Sequence, residues 1–534
     1  MITRRGFVGA ASGTAAAAAA GCATAPGAGG RMASQAEGTF RHGVASGDPL
    51  ADRVILWTRI TTANPSPVPV RWEIASDPGF RRIVNQGVVT ALPARDFTVK
   101  VDAVGLEPAR TYYYRFSAAG SESPVGRTRT LPEQTASRLR IAVASCSNLP
   151  FGFFNAYHHI AARGDLDLVL HLGDYLYEYA PGTYGNGAEF GRSHQPAHEI
   201  VSLADYRTRH AQYKLDPDLQ EAHRQHPWIC VWDDHESANN AWRDGAENHD
   251  PDQGEGPWPA RRAAAVRAYH DWLPIREQPG AAGPHIYRSF RLGDLAHLIM
   301  LDTRLHGRTR QVEDRTDQAA INAPGRTILG ADQQAWLAEE LRAAVRLGST
   351  WRLLGQQLMF GQLIAEDGLL LNTDQWDGYP ASRNAVLDQL EGEGIDDVVV
   401  LTGDIHTAWG IDISRDPMGG YDPASGRGSL AVEMVTTSVT SPGPDGTAEA
   451  LTERERMIVR DRPHIHYVNL REHGYLLLDL DHERAQGEWW YVNGIDRRAP
   501  GERLAAAFAT ARGANHLTAV DGPSAANGDR PGTV

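Results

Sequence analysis

The sequence of 534 residues predicts a multidomain protein in which a small all-β sandwich precedes a larger α/β body. Two patterns predict this order. Residues 38–134 contain short apolar or alternating runs separated by Gly, Pro and Asp, and no helical period interrupts them. From residue 139 onward, strand-like apolar runs alternate with amphipathic segments of helical period. The change of period between these two regions marks the predicted domain boundary.

Residues 1–25 have the features of an export signal. Arg4 and Arg5 precede a weakly apolar run of small residues, which resembles a twin-arginine (Tat) signal peptide. The run ends in AAGC at Cys22, which resembles a lipobox, while the small residues 23–25 offer a competing cleavage site. We therefore expect the Tat machinery to export the protein to the periplasm or the extracellular space, either released or anchored by a lipid on Cys22. The run is too short and too weakly apolar to span a membrane, so we expect no transmembrane span in the mature protein.

The pattern of residues 38–134 predicts an immunoglobulin-like or fibronectin-like sandwich. Its strand-like runs are DRVILWTRI, VPVRWEIAS, FTVKVDAVGL and TYYYRFSAAG, at spacings that suit antiparallel strands. The segment RTRTLPEQTAS then leads out of the sandwich as a linker.

The region 139–496 predicts a layered body with mostly buried strands. Runs such as LRIAVASCS and DDVVVLTGDIH alternate with the helical patterns FFNAYHHIAARG, ARRAAAVRAYHDWL and GADQQAWLAEELRAAVR. The later runs LAVEMVTTSV and HGYLLLDLD predict a second sheet that packs on the first. Residues 497–534 form a tail in which GERLAAAFATARG predicts a helix.

Composition and charge exclude several classes of function. A formal net charge of -14 argues against nucleic-acid binding, because such proteins need a basic surface to neutralise phosphates. Lys100 and Lys214 are the only lysines, and neither follows a GxxxxG sequence, which excludes a P-loop. The GxSxG motif of serine hydrolases is absent as well.

Polar side chains follow the predicted strands of the body at the points where the strands end. The carboxyl ends of the strands in an open α/β sheet face one crevice, so we expect these side chains to converge. Anionic side chains gathered in one crevice repel one another strongly unless cations bind there. The sequence therefore predicts a metal site at this edge, built from Cys146, Asp174, Asp234, Asp404 and His406.

Four motifs in a fixed order make the prediction more specific: ASCS, HLGDYLYEY, WDDHESANNAW and LTGDIHTAW, preceded by GVASGDPLADRVILWTR. Together they resemble the alkaline phosphatase D (PhoD-like) family, a branch of the calcineurin-like metallophosphatase superfamily. The resemblance extends from about Gly43 to Trp409 and implies that the body is an α/β/β/α metallophosphatase core. Cys146, Tyr177 and Asp404 depart from the motifs of the wider superfamily but match the PhoD branch.

The types of the candidate ligands indicate which metals they suit. A metal ion that binds both a phenolate and a thiolate must carry a high positive charge, because a tyrosine with a pKa of about 10 must lose its proton to bind. Ferric iron fits the first set of ligands, which is Cys146, Asp174, Tyr177 and His406. Asp234 and Asp404, with Asp174 as a bridge, offer only oxygen and suit Ca2+. The resemblance implies the same pairing, Fe3+ with one or two Ca2+, whereas the residues alone leave Zn2+ or Mn2+ open.

The resemblance implies hydrolysis of phosphate monoesters, diesters or both. In this reaction a metal-bound hydroxide attacks phosphorus in line with the leaving group. We expect His235 to assist the leaving alkoxide, and Asn239 and Arg304 to contact the phosphate. Two alternatives stay open: a phosphodiesterase specialised for phospholipid or teichoic-type polymers, and a non-catalytic surface binding protein.

Overall fold

The computed structural model describes residues 39–277, 285–365, 367–498, 501–528 and 532–534. The predicted signal peptide and Cys22 lie outside the described residues. Among the helices that are described, none has the length and apolar character that a membrane crossing requires.

The N-terminal region is all-β, as predicted. Its strands are β1 Val44–Gly47, β2 Arg53–Arg59, β3 Val68–Ala75, β4 Ile83–Ala91, β5 Thr98–Val104, β6 Thr111–Ala118, β7 Ser121–Glu122 and β8 Gly126–Arg129. Strands β4, β3, β6 and β7 form one sheet, in which β8 also pairs with β6. Trp72 and Phe116 of this sheet pack against Leu56 and Val101 of β2 and β5, which gives the region an apolar core between two layers.

The body contains fourteen further strands among the described residues. They are β9 Leu139–Ala144, β10 Leu168–His171, β11 Pro227–Cys230, β12 Arg288–Leu292, β13 Ala296–Met300, β14 Trp351–Gln356, β15 Val398–Thr402, β16 Ala408–Ser414, β17 Ser429–Val435, β18 Ile465–Asn469, β19 Gly474–Leu480, β20 Arg484–Val492, β21 Glu502–Ala511 and β22 Thr518–Ala519.

The helices of the body are α1 Asn155–Ala162, α2 Leu203–Tyr213, α3 Pro217–Gln225, α4 Trp258–Trp272, α5 Gln318–Ile321, α6 Gly330–Arg346, α7 Pro380–Glu393 and α8 Ala448–Asp461. Side chains cap the first backbone N–H groups of α2, α3, α5 and α8. Ser202 and Asp205 form a reciprocal capping box at the start of α2. Asp216 caps α3, whose first residue, Pro217, has no N–H to satisfy.

Two large sheets pack face to face in the body. One has ten strands in the order β22-β21-β20-β19-β9-β10-β11-β1-β2-β5, and the other has seven in the order β12-β13-β14-β15-β17-β16-β18. Val143 and Leu170 of the first sheet share one apolar cluster with Leu401 and Met434 of the second. A Cβ added at Gly487 would lie 2.5 Å from the Met434 sulfur, so the two sheets approach closely at this point.

Helices cover the outer face of each sheet and complete the α/β/β/α arrangement that was predicted. Tyr157 of α1 and Leu219 of α3 belong to the cluster of the ten-stranded sheet. Leu337 of α6 and Leu387 of α7 pack on the outside of the seven-stranded sheet. Because β1 pairs in parallel with β11, one layer of the N-terminal sandwich continues directly into the ten-stranded sheet of the body.

The prediction of a helix in the tail was wrong. Residues Glu502–Ala511 form strand β21, which pairs antiparallel with β20 along its length. The alanine-rich sequence has high intrinsic helix propensity, but pairing with an open sheet edge outweighs that preference. Ala507 and Ala509 are buried on one face, with the two-residue period of a strand.

Candidate metal centre

The ends of four strands meet at one edge of the body. Strands β9, β10 and β11 are parallel neighbours, so the loops that carry Cys146, Asp174 and Asp234 leave the ten-stranded sheet at the same edge. Asp404 follows β15 of the other sheet. A bridge between Ser145 and Ser438 joins the two sheets there. The convergence expected from the strand ends is therefore present, although it involves two sheets rather than one.

The backbone of the candidate ligands is turned into the left-handed region, where residues other than glycine are uncommon. The φ angles of Cys146, Asp174, Asp404 and His406 are 62°, 54°, 57° and 59°. Such conformations persist only where the surrounding structure enforces them, and they concentrate at functional sites. Gly173 has a φ of 103°, and a Cβ added there would lie 2.4 Å from the Asp233 Cβ, so this position requires glycine.

One group of donors combines sulfur, oxygen and nitrogen. The ligand atoms of Cys146, Asp174 and His406 all lie within 4.8 Å of one another. The Tyr177 hydroxyl donates to Asp174 Oδ2 at 2.8 Å and lies 3.1 Å from His406 Nε2. Ser441 Oγ donates to the same Tyr177 oxygen at 2.6 Å. The four residues predicted to hold iron are therefore in mutual contact or close to it.

A second group of donors offers only oxygen. The carboxylates of Asp233, Asp234 and Asp404 approach within 4.8 Å of one another. Asp234 also belongs, with Asp174 and His235, to a third group that meets the same distance. Asp174 therefore takes part in both the mixed group and a group that contains Asp234, as a bridging ligand must. Sequence analysis did not select Asp233, although the adjacent carboxylates of WDDHE were a signal for it.

Arg304 lies among the carboxylates of this edge and is fully buried. Its guanidinium donates to Asp233 Oδ1, to Asp374 at 3.0 Å and to Asp404 Oδ1 at 2.7 Å. Asp234 Oδ1 is 3.7 Å away. Arg304 was predicted to contact phosphate, and the structure places it as a counter-charge to four aspartates. Asp374 was not predicted, although it stands in the segment NTDQWDGYP, which is similar to a segment of the family.

The charge at this edge remains strongly negative despite Arg304. Burial raises the pKa of Asp233 well above its usual value, Arg304 opposes this rise, and the neighbouring carboxylates add to it. The pKa values of Cys146 and Tyr177 are also raised well above their ordinary values, mainly by burial and secondly by the negative charge of Asp174. The thiol and the phenol therefore need a nearby cation to lose their protons.

The buried carboxylates retain oxygen atoms that could bind such a cation. Asp174 Oδ1 and Asp233 Oδ2 are buried and have no hydrogen-bond partner within the described residues. Buried polar atoms of native proteins are paired in the great majority of cases, so unpaired ones call for an explanation. Bound cations would pair with these oxygens and would compensate the excess charge. The residues of this edge therefore fit a metal centre.

His235 is fixed by a carboxylate that the sequence analysis did not select. Glu178 Oε2 lies 2.6 Å from His235 Nδ1, and both side chains are buried. Burial alone would lower the pKa of His235, but the charges of Glu178, Asp234 and Asp174 outweigh it and raise the pKa to about 9. Cations at Asp174 and Asp234 would reduce this effect by neutralising the carboxylates that cause it.

Glu178 also holds the neighbouring segment in place. Its Oε1 accepts hydrogen bonds from the Asn239 backbone N–H at 2.8 Å and from Asn248 Nδ2 at 2.9 Å. Asn239, predicted to contact phosphate, is buried, and its side chain donates to Glu247. Glu236 has a similar positioning role, because its carboxylate accepts from the backbone N–H groups of the loops that carry Asp174 and Asp233.

Replacing Glu178 with Gln is expected to move the alkaline limb of the pH–rate profile to lower pH. Loss of the carboxylate removes a charge that stabilises the His235 imidazolium, so its pKa falls and the ring loses its proton earlier as the pH rises. The profile of kcat between about pH 6 and pH 10 measures this shift. Glu199→Gln is the matched control, because Glu199 bonds to the same Asn248 and to Arg261. Identical profiles for Glu178→Gln and the wild type would contradict the assignment of His235 as a proton donor.

Comparison with known proteins identifies the fold and the family. The sequence profile of the PhoD-like phosphatases matches residues 141–489, and that of the PhoD-like phosphatase N-terminal domain matches residues 21–132. The chain belongs to the PhoD-like phosphatase family. Alkaline phosphatase D of Bacillus subtilis (strain 168) is 39% identical to this PhoD-like phosphatase over 450 residues, which cover 80% of this chain and 74% of the relative. A solved structure of PhoD matches with a TM-score of 0.81 at 34% identity and covers 91% of this chain and 93% of its own.

These matches confirm the predicted fold class and the family resemblance. A PhoD-like phosphatase of this similarity is a phosphoric ester hydrolase, so the alternative of a non-catalytic surface protein was wrong. The motif segments from Cys146 to His406 lie within the matched region. The roles of the individual side chains stay predictions.

Proposed function

We propose that the chain is an exported, metal-dependent phosphoesterase that hydrolyses phosphate monoesters and diesters. The observation that carries the proposal is the division of donors around Asp174. The mixed group brings a thiol, a phenol and an imidazole to Asp174, whereas Asp233, Asp234 and Asp404 form a group of carboxylates alone, with His235 beside Asp234 and Asp174. Such a division suits two metals of different character at one centre.

The mixed donors favour iron, and the oxygen donors favour calcium. Cys146, Asp174, Tyr177 and His406 would hold Fe3+, because a highly charged ion favours the anionic thiolate and phenolate. Asp234 and Asp404, together with Asp174, would hold one or two Ca2+. When bound, such cations supply a nucleophile derived from water at moderate pH and neutralise charge on the phosphoryl oxygens.

The protein's own residues contribute orientation and a proton. The Glu178 carboxylate holds His235 Nδ1 and favours the charged ring, which can donate a proton to the leaving oxygen. Arg304 fixes the positions of Asp233 and Asp404 through separate arms of its guanidinium. Tyr184 packs between Phe151 and Tyr177 with ring centroids 5.1 and 5.8 Å apart, and this aromatic wall limits the access of water beside His406.

Activity measurements on the purified protein test the proposal. We expect turnover of p-nitrophenyl phosphate and of bis-p-nitrophenyl phosphate, loss of both activities after chelation, and recovery when Ca2+ is added to protein that retains its iron. Mg2+ is the matched control, because it demands a stricter octahedral geometry at shorter distances. Turnover of the diester alone would favour a specialised phosphodiesterase. Full activity in protein shown by elemental analysis to contain no metal would contradict the proposal.

We place the mature protein outside the cytoplasm, either released or anchored through Cys22. Arg4 and Arg5 before the small-residue run support export through the Tat machinery. Fractionation of cells that express the full chain tests this placement. Phosphatase activity confined to the cytoplasm would contradict it.

A further inference from the structure

A second cluster of metal-binding side chains lies on other elements of the body. It consists of Asp412 on β16, His466 on β18 and His516 between β21 and β22. Their ligand atoms all lie within 4.8 Å of one another. Asp412 is fully buried, whereas the side chains of His466 and His516 are 15% and 14% exposed. A metal ion could therefore reach the carboxylate past the two imidazoles.

The cluster is separate from the centre at the strand ends. His406 lies just before the first residue of β16, whereas Asp412 lies near the C-terminal end of this strand. The two sites share no residue. Gly410 stands two residues earlier on the same face of β16, and a Cβ added there would contact Trp489 and Leu517. Asp412 therefore faces the ten-stranded sheet, at the place where its last strands lie beside the edge strand β18.

The carboxylate of Asp412 is held on several sides. Leu517 donates its backbone N–H to Oδ1 at 2.9 Å, and the Tyr421 hydroxyl donates to Oδ2 at 2.8 Å. His516 Nδ1 lies 2.5 Å from Oδ2, and His466 Nε2 lies 3.3 Å from Oδ1. Within the described residues, these two histidines are the only ion-pair partners of Asp412. A buried carboxylate needs a compensating positive charge, which a divalent cation provides.

The donor set matches zinc. Two imidazoles and one carboxylate are a common set of protein ligands for Zn2+, which prefers tetrahedral geometry with bonds of about 2.0–2.2 Å. Neighbouring ligands of such an ion lie roughly 3.3 Å apart, close to the separation of His466 Nε2 and Asp412 Oδ1. The Tyr421 oxygen lies 3.2 Å from His466 Nε2 and offers a further oxygen donor beside the cluster.

The ligands are also oriented in advance. Gly426 has a φ of 70°, and a Cβ added there would lie 2.5 Å from the His516 Cβ, so the loop backbone packs directly on this histidine. The Leu517 N–H fixes the Asp412 carboxylate in the way that outer hydrogen bonds fix metal ligands. We propose that Asp412, His466 and His516 bind a zinc ion that fastens the C-terminal strands β21 and β22 to the seven-stranded sheet.

Zinc binding by the full chain tests the proposal. Protein loaded with iron and calcium is incubated with Zn2+, separated from free metal by gel filtration and analysed for metal content. We expect the number of zinc ions retained per chain to be higher by one in the wild type than in the double variant His466→Gln/His516→Gln. His482→Gln is the matched control, because this histidine is partly exposed and pairs with Thr350 and Asp294 instead. A wild type that retains no more zinc than the double variant would overturn the proposal and leave a hydrogen-bonded cluster.

A reciprocal variant separates the two sites. Cys146→Ala should lose iron yet keep the zinc, whereas the double variant should keep iron and the turnover of p-nitrophenyl phosphate. Zinc should also raise the melting temperature of the wild type and of Cys146→Ala by a few degrees, but not that of the double variant. If the double variant does not fold, the single variant His466→Gln replaces it, with retained turnover as the check on folding. Loss of zinc from Cys146→Ala together with iron would place the zinc at the catalytic centre and overturn the proposal.

Discussion

Replacement of Asp174 with Asn is expected to lower kcat for p-nitrophenyl phosphate by about 1000-fold while the fold is retained. Asp174 belongs to the groups of candidate ligands around both Cys146 and Asp234, so loss of its charge weakens both metal positions. Asparagine keeps the shape of the side chain and tolerates the left-handed φ of 54° at this position. Its amide oxygen can still accept the hydrogen bond from Tyr177.

Steady-state kinetics and elemental analysis of the same sample measure this effect. Asp397→Asn is a matched control, because Asp397 is also buried and has a φ of 58°, but lies at the opposite end of β15 from Asp404. We expect the control to keep its metals and its kcat. An Asp174→Asn variant with unchanged metal content and turnover would exclude Asp174 as a bridging ligand.

Replacement of Arg304 with Met is expected to lower the free energy of unfolding by about 3–5 kcal/mol. Methionine keeps an unbranched stem but has no guanidinium group, so the buried carboxylates of Asp233, Asp374 and Asp404 lose their shared partner. Removing one member of a buried ion-paired group leaves the others uncompensated, which costs more than the pairing itself contributed. The loss should shrink as the pH falls, because protonation removes the charge of the unpaired carboxylates.

Urea unfolding followed by tryptophan fluorescence, in the presence of a chelator, measures this loss without a contribution from bound metal. Arg304→Lys should lie between the wild type and Arg304→Met, because lysine keeps the charge but cannot bond to several carboxylates in one plane. Arg342→Met is the control for removal of an exposed ion pair with Glu393, and we expect it to shift the midpoint far less. Equal shifts for Arg304→Met and Arg342→Met would show that Arg304 does not compensate the buried charges.

Much of the metal centre was predictable from local patterns. Cys146, Asp174, Asp234 and Asp404 each follow an apolar run, and parallel strands carry such residues to one edge whatever the details of packing. His406 follows Asp404 by two residues and was predicted in the same way, whereas Tyr177 came from the four motifs. The structure brings all six side chains to that edge. The assignment of ligand roles to these residues stays a prediction, which the Asp174 variant addresses.

The remaining features depend on contacts between segments that are distant in the chain. Arg304 was predicted to contact phosphate, and only the approach of Asp233, Asp374 and Asp404 from three other segments makes it a buried counter-charge. Glu178 is likewise important because His235 packs against it from another loop. Such contacts leave no local period or motif in the sequence.

By itself, the sequence determined the order of an all-β region before an α/β/β/α body and the strand ends that deliver metal ligands, because hydrophobic period and strand termination are local properties. Tertiary structure alone decided that Glu502–Ala511 is a strand, since its helix propensity is weaker than the pairing offered by the edge of β20. It also decided that Asp412 meets His466 and His516, because the packing of two sheets, and no sequence spacing, brings these residues together.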